Sequence, residues 1–333
     1  MNEMKNIGRV LSQTKNIYKV DCENAELFAE VSGKLRYEAA SVSDYPVVGD
    51  YVLLDRSEGM HGNAIISQIL PRKSIFLRRA AGKAGEEQAV AANIDTAFLC
   101  MSLNEDFNLR RLERYLTLTW ESGAVPVVVL TKADLCDNVP AKLYATASVA
   151  IGVDILVTTA MSEDGYEDIK EYIKPGQTIA FIGSSGVGKS TLINRLLGEE
   201  RLRENAIRKD GKGRHTTTRR ELIVLPGGGM VIDTPGMREL GMWEASEGLD
   251  KSFADVEQFL GRCRFRNCTH TTEPGCAVYE AILEGELSEK RWRAYRKLKT
   301  ESDYTEDKQS YLGSKEKKFK QIAKMNKASQ KRM

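Results

Sequence analysis

Apolar and polar residues alternate in short runs through the first part of the chain. Residues 8–20, 26–37, 47–54 and 64–69 carry alternating or β-branched apolar positions, divided by turn-forming clusters at 32–33, 44–46 and 58–63. The pattern predicts short β-strands over residues 1–85, and a small barrel is the arrangement that leaves no strand edge open. The basic stretch 71–84 reads as a linker.

Beyond it the pattern changes. Compact apolar runs at 96–101 and 125–130 suit strands buried on both faces of a parallel sheet. Between them, 109–121 has helical spacing, with Leu112, Leu116 and Trp120 on one face. Further strands are predicted at 155–157, 179–183, 222–225 and 230–233, and a helix at 190–197. This alternation predicts a doubly wound α/β unit over residues 86–242. Residues 243–333 read as polar helices interrupted by a cysteine cluster.

With 333 residues, 41% hydrophobic and 29% charged, the chain is in the globular class and long enough for two or three domains. Its net charge of +2 conceals an uneven distribution: residues 290–333 hold fifteen Lys or Arg against five Asp or Glu. Such a tail, like the basic stretch 201–220, suits RNA or another polyanion. No apolar run approaches the roughly 18 residues needed to span a bilayer, and the N-terminus has no signal-peptide core. The expected setting is the cytoplasm, with no membrane partner and a monomeric chain; disulfides are not expected there.

The sequence Gly183-Ser184-Ser185-Gly186-Val187-Gly188-Lys189-Ser190-Thr191 fits the phosphate-binding loop, and it lies between a predicted strand and a predicted helix. Glycines let successive N–H groups turn inward around phosphate oxygens, and the helix N-terminus adds positive potential. Lys189 is placed to reach the β- and γ-phosphates, and Ser190 to bind Mg²⁺. Asp233-Thr234-Pro235-Gly236 follows another predicted strand; Asp233 is a second Mg²⁺ candidate, and the Gly236 amide can meet a γ-phosphate. The polar stretch between them contains His215, Thr217 and Thr218, and either Thr217 or Thr218 is the third Mg²⁺ candidate.

Thr131-Lys132-Ala133-Asp134 resembles the guanine-reading N-K-x-D element of GTPases, with Thr131 where Asn is usual. A carboxylate at Asp134 accepts two N–H bonds that guanine offers and adenine lacks. Losing the Asn amide removes a contact and is expected to loosen base binding. Thr159-Ala160, after the strand at 155–157, resembles the second, short base loop. In Ras-like GTPases the phosphate elements precede the base elements. Here the order is reversed, which is a circular permutation.

These residues make the chain similar to the RsgA (YjeQ-type) family of circularly permuted, ribosome-dependent GTPases. The resemblance implies an OB-type barrel, GTP hydrolysis stimulated by the small (30S-type) ribosomal subunit and its rRNA, and a late role in that subunit's maturation. It also implies a part for His215 in hydrolysis, since Met237 stands where Ras-like enzymes carry a water-positioning Gln. An ATP-using kinase or ATPase, and a zinc-dependent RNA-binding module with a structural nucleotide, are the alternatives.

Cys263, Cys268, His270 and Cys276 lie within fourteen residues. Three thiolates and one imidazole suit tetrahedral Zn²⁺ with no open position, which predicts one structural zinc. Only 26 residues separate Gly236 from Cys263, so the nucleotide-sensing segment leads directly into the zinc unit, and GTP is expected to set that unit's angle.

Overall fold

In the computed structural model, residues 6–303 are described, apart from 24, 58–61, 80–86, 160–161, 163–164, 201, 203–220, 234–245 and 272. The alternating N-terminal segments form β1 (Ile7–Thr14), β2 (Ile17–Cys22), β3 (Ala25–Val31), β4 (Tyr51–Leu54) and β5 (Ala64–Ile69). They pair in the order β1-β2-β3-β5-β4, and β4 returns to β1, which closes the barrel; only β3 and β5 run parallel. This is the strand order of an OB-type barrel. Val10, Val20, Ala29, Val52 and Ile66 fill its interior.

Two of the predicted strands end early. The run at 8–20 is split by a turn in which Lys15 takes φ 54°. The run at 26–37 stops at Val31, because the Ser32 hydroxyl accepts the Leu35 N–H at 3.1 Å and starts helix α1 (Gly33–Glu38). A Ser N-cap satisfies a free helix-end donor, and here it overrides an apolar pattern that suited a strand.

The basic stretch read as a linker is built into the fold. It supplies β6 (Ile75–Arg79), antiparallel to β7 (Glu87–Ala92). Just before β6, Arg72 forks onto both carboxylate oxygens of the fully buried Asp50, each at 2.8 Å. Past β7, Asn93 donates to the Gly49 carbonyl at 3.0 Å. Gly49 must be glycine, since a Cβ there would lie 2.2 Å from the Ala92 carbonyl oxygen.

The α/β unit contains β8 (Thr96–Ser102), α2 (Leu109–Ser122), β9 (Val125–Thr131), α3 (Val139–Ala147), β10 (Ile155–Val157), α4 (Glu167–Lys170), β11 (Thr178–Gly183), α5 (Lys189–Leu197), β12 (Glu221–Val224) and β13 (Met230–Asp233). Their order in the sheet is β10-β9-β8-β11-β13-β12, all parallel except β12. The chain enters mid-sheet at β8, builds outward to β10, then crosses back to β11 and builds the other way. The crevice above the C-terminal ends of β8 and β11 is therefore a topological switch point, where open α/β sheets bind ligands. β8 and β11 are buried along their whole length, as their apolar sequences require.

Barrel and α/β unit share one sheet, because β1 pairs with β12 at Ser12↔Glu221. Arg9 of β1 reinforces the junction, donating to Thr178 Oγ1 at 2.8 Å and to the Asn93 carbonyl at 3.2 Å, with its guanidinium 4.1 Å from the Tyr51 ring centre.

The C-terminal unit comprises α6 (Ser246–Ser252), α7 (Ala254–Glu257), α8 (Ala277–Glu284) and a ninth helix, α9, over 289–303. It packs on α2 through a shared core that includes Leu112, Leu116, Leu249, Phe253, Trp292 and Tyr295. Buried Arg291 ties the two together. It binds Glu113 at 2.8 Å, Asp255 at 2.9 Å and the Ser252 carbonyl, and it lies 3.9 Å from the Phe253 ring centre. Arg114 of α2 forks onto Glu301 at 2.8 Å. Among the described residues, no helix is long and apolar enough to cross a membrane.

Candidate functional site

Strand β11 delivers the phosphate loop to the switch point. At its end, a Cβ on Gly183 would lie 2.5 Å from the Cys100 carbonyl oxygen of neighbouring β8, so only glycine fits. Gly186 and Gly188 take φ 74° and 104°, and Gly188 caps α5. Lys189 Nζ reaches back across the loop to the Gly183 and Ser184 carbonyls at 2.7 and 2.6 Å. Ser190 and Thr191 stand in the first turn of α5. Asp233 ends β13, the parallel neighbour of β11.

The second stretch of the pocket comes from β9. Thr131 Oγ1 donates to the Val187 carbonyl at 2.6 Å, and Lys132 Nζ to the Gly186 carbonyl at 2.7 Å. Lys132 takes φ 59°, which turns the chain sharply after the strand and presents Ala133 and Asp134 beyond the loop. Thr159 Oγ1 donates to Asp134 Oδ1 at 2.6 Å, and the Ala133 amide donates to the Thr158 carbonyl at 3.2 Å. The base elements at 131–134 and 158–159 thus touch one another, and the first also touches the phosphate loop. Two lysines and a glycine-rich loop at a helix N-terminus suit a polyphosphate at one end; a single carboxylate at the other suits a base rich in N–H donors.

Sequence reasoning did not single out Asp106. It lies between β8 and α2, and it accepts a short hydrogen bond from Ser184 Oγ while pairing with Arg111 at 2.8 Å. No motif marks it; its position between a strand and an Asn-capped helix beside the switch point is the signal that was available. Ala160, His215, Thr217, Thr218 and Gly236 lie outside the described residues.

A family model for the RsgA GTPase matches residues 69–243. The chain belongs to the RsgA GTPase family. Its members include the "Small ribosomal subunit biogenesis GTPase RsgA 2" of Lactiplantibacillus plantarum, 49% identical over 299 residues, with 90% of this chain and 84% of that one covered. Among solved structures, YjeQ from Thermotoga maritima is similar at TM-score 0.65 and 28% identity, covering 89% of this chain and 98% of that one. YloQ, described as a circularly permuted GTPase, follows at TM-score 0.63 and 26% identity, covering 89% and 94%. As an RsgA GTPase, the chain is a GTP hydrolase with the permuted fold. That identity excludes the ATPase or kinase alternative.

The chain also carries a candidate metal centre. Ligand atoms of Cys263, Cys268, His270 and Cys276 all lie within 4.8 Å of one another, and Nδ1 of His270 is 3.3 Å from Cys263 Sγ. Three thiols and one imidazole this close, with no disulfide among the described residues, fit one tetrahedral Zn²⁺. His270 takes φ 56°, which turns its ring toward the thiols and edge-on to Trp292 at 5.6 Å. The Glu273 carboxylate closes the intervening turn. It accepts from the Thr269 hydroxyl and from the Thr269 and Thr271 amides, and those bonds hold its carboxyl well below the usual range. Arg262, Arg264 and Arg266 project from the same loop, exposed and without an ion pair among the described residues. Arg264 lies 5.6 Å from the half-exposed Phe265 ring.

Proposed function

We propose that this chain hydrolyses GTP while bound to the small ribosomal subunit, during that subunit's maturation in the cytoplasm. One observation carries the reading: Thr131 and Lys132 bond to the phosphate loop, so the segments that carry Asp134 and Lys189 are brought together although they are distant in sequence. Lys189 and the loop amides of Ser184, Ser185, Gly186, Val187 and Gly188 would hold the phosphates. Asp134 would select guanine, with Thr159 and Ala160 closing over the base. Ser190, Asp233 and Thr217 or Thr218 would hold Mg²⁺, which neutralises charge between the β- and γ-phosphates. The Gly236 amide would meet the γ-phosphate. His215 would orient the attacking water, because Met237 has no group able to do so.

The ribosomal part of the reading is supported by the names of the relatives and by chemistry. Arg262, Arg264 and Arg266, exposed and without an ion pair among the described residues, suit phosphates, Arg264 with Phe265 beside it suits unstacked bases, and the basic residues at 290–333 extend that charge. Zn²⁺ held by Cys263, Cys268, His270 and Cys276 would fix the loop that carries them. The barrel (1–85), permuted GTPase unit (86–242) and zinc unit (243–333) would together grip the subunit, as a monomer.

The test is phosphate release from GTP, alone and with purified small or large subunits. Slow turnover alone and at least tenfold stimulation by small subunits, falling as salt rises, are expected. Equal rates with and without small subunits would reject the ribosomal reading.

A further inference from the structure

We propose that Asp106 is a positioning residue for the phosphate loop, acting through the side chain of Ser184. The inference rests on the reading of residues 183–190 as the triphosphate cradle. It goes beyond that reading by naming what holds the cradle in shape from outside the motif.

Asp106, partly exposed, is itself held by several hydrogen bonds. Its amide donates to Asn104 Oδ1 at 3.0 Å, and the same oxygen accepts from Ser102 Oγ at 2.7 Å, at the buried end of β8. Arg111 Nη2 grips both the Asp106 carbonyl, at 2.9 Å, and carboxylate Oδ1, at 2.8 Å. Arg111 is fixed in turn, because its amide donates to the capping Asn108 side chain at 3.1 Å. With Oδ1 engaged, Oδ2 is the oxygen that accepts from Ser184 Oγ.

An exposed Asp–Arg pair alone contributes little. This pair differs because its second oxygen makes a charge-assisted bond to the loop that grips the phosphates. Ser184 is held twice, by Asp106 at its hydroxyl and by Lys189 at its carbonyl. The amides that follow it are useful only if they converge on one centre, and small misplacements of such groups are costly. Asp106 therefore touches no phosphate and acts on the nucleotide only through the backbone of the loop.

Titration of the full-length protein with a fluorescent GDP analogue tests this, with thermal unfolding as the control for folding. Asp106→Ala and Ser184→Ala are each expected to weaken binding about tenfold, the loss of one charge-assisted bond. The double variant should be no weaker than either single variant beyond about twofold. Asp106→Asn keeps one acceptor but neither the charge nor the second oxygen, and should recover only part of the loss. In steady state, KM for GTP should rise more than kcat falls. Full additivity of the two alanine variants, or wild-type affinity in a folded Asp106→Ala protein, would overturn the role of Asp106 alone. Wild-type protein that bound no guanine nucleotide would overturn the cradle reading, and this inference with it.

Discussion

Thr131 occupies a position where the N-K-x-D element of GTPases carries Asn, and the sequence alone suggested a lost contact. In the folded chain its buried hydroxyl reaches the Val187 carbonyl and ties base element to phosphate loop. Thr131→Val keeps the shape and removes the donor. It is expected to weaken guanine nucleotide binding roughly tenfold, because a buried carbonyl is left unpaired, whereas Thr131→Ser should bind nearly as wild type. Fluorescence titration distinguishes the two outcomes. Cys100, directly beneath the loop, is fully enclosed, and burial pushes its thiol up to about 12. It should therefore resist iodoacetamide at pH 8 in the native protein and react after unfolding. The sign of the linkage is fixed: the unfolded thiol ionises near 8.5, so above that value the unfolded state loses protons that the folded state keeps. Native stability should fall as pH rises between there and about 12, and urea titrations at pH 8 and 10 on wild type and Cys100→Ala would reveal it.

At the scale of elements, the sheet of the α/β unit was the most legible part. Strands such as Thr96–Ser102 and Thr178–Gly183 are continuous apolar runs, and phosphate-loop glycines punctuate the chain unambiguously. Elements decided by one polar contact were harder. Ser32 turned the end of a predicted strand into α1, and Asp50, by capturing Arg72, helped convert an apparent linker into an anchored hairpin. Helix α2 is held by partners its own sequence does not reveal. Arg291 meets Glu113 with both side chains 5% exposed, and burial raises the Glu113 carboxyl while Arg291 draws it down. Arg291→Ala strands that carboxylate and is expected to cost about 3–5 kcal/mol in urea unfolding. Helix α8 starts at the candidate metal centre. Cys276 is its N-cap, accepting from the Tyr279 amide at 3.5 Å, so Cys268→Ser should lower zinc content and loosen residues 277–284 together. Zinc analysis paired with hydrogen exchange reads both; unchanged zinc content would remove Cys268 from the ligand set.

Across the whole molecule, the three units are joined by contacts between residues far apart in sequence. The barrel reaches the base of the phosphate-loop strand through Arg9 and Thr178, 169 residues apart, and α2 reaches the C-terminal unit through Arg114 and Glu301, 187 residues apart. Motifs are local and can be read from spacing; these joints cannot, because periodicity says which face of a helix is apolar and not which distant residue will cover it. Further contacts of this kind would couple the proposed nucleotide-sensing stretches to the other units. Strand β12 follows the stretch holding His215, Thr217 and Thr218 and pairs with the barrel, while α6 follows the stretch holding Gly236 and packs on α2. Hydrogen exchange with GDP and with a non-hydrolysable GTP analogue should therefore differ across 246–303 and along β1. Identical protection in both states would count against coupling.

All of these consequences depend on the proposed site, in which Lys189 would grip the phosphates and Asp134 would choose the base. The most direct test is equilibrium binding of GDP and ADP to the purified chain with Mg²⁺ present. The account requires GDP to bind at least about a hundredfold more tightly than ADP, the discrimination expected when a site built for N–H donors is left unpaired. Equal affinity for the two nucleotides, or no binding of either, would contradict it.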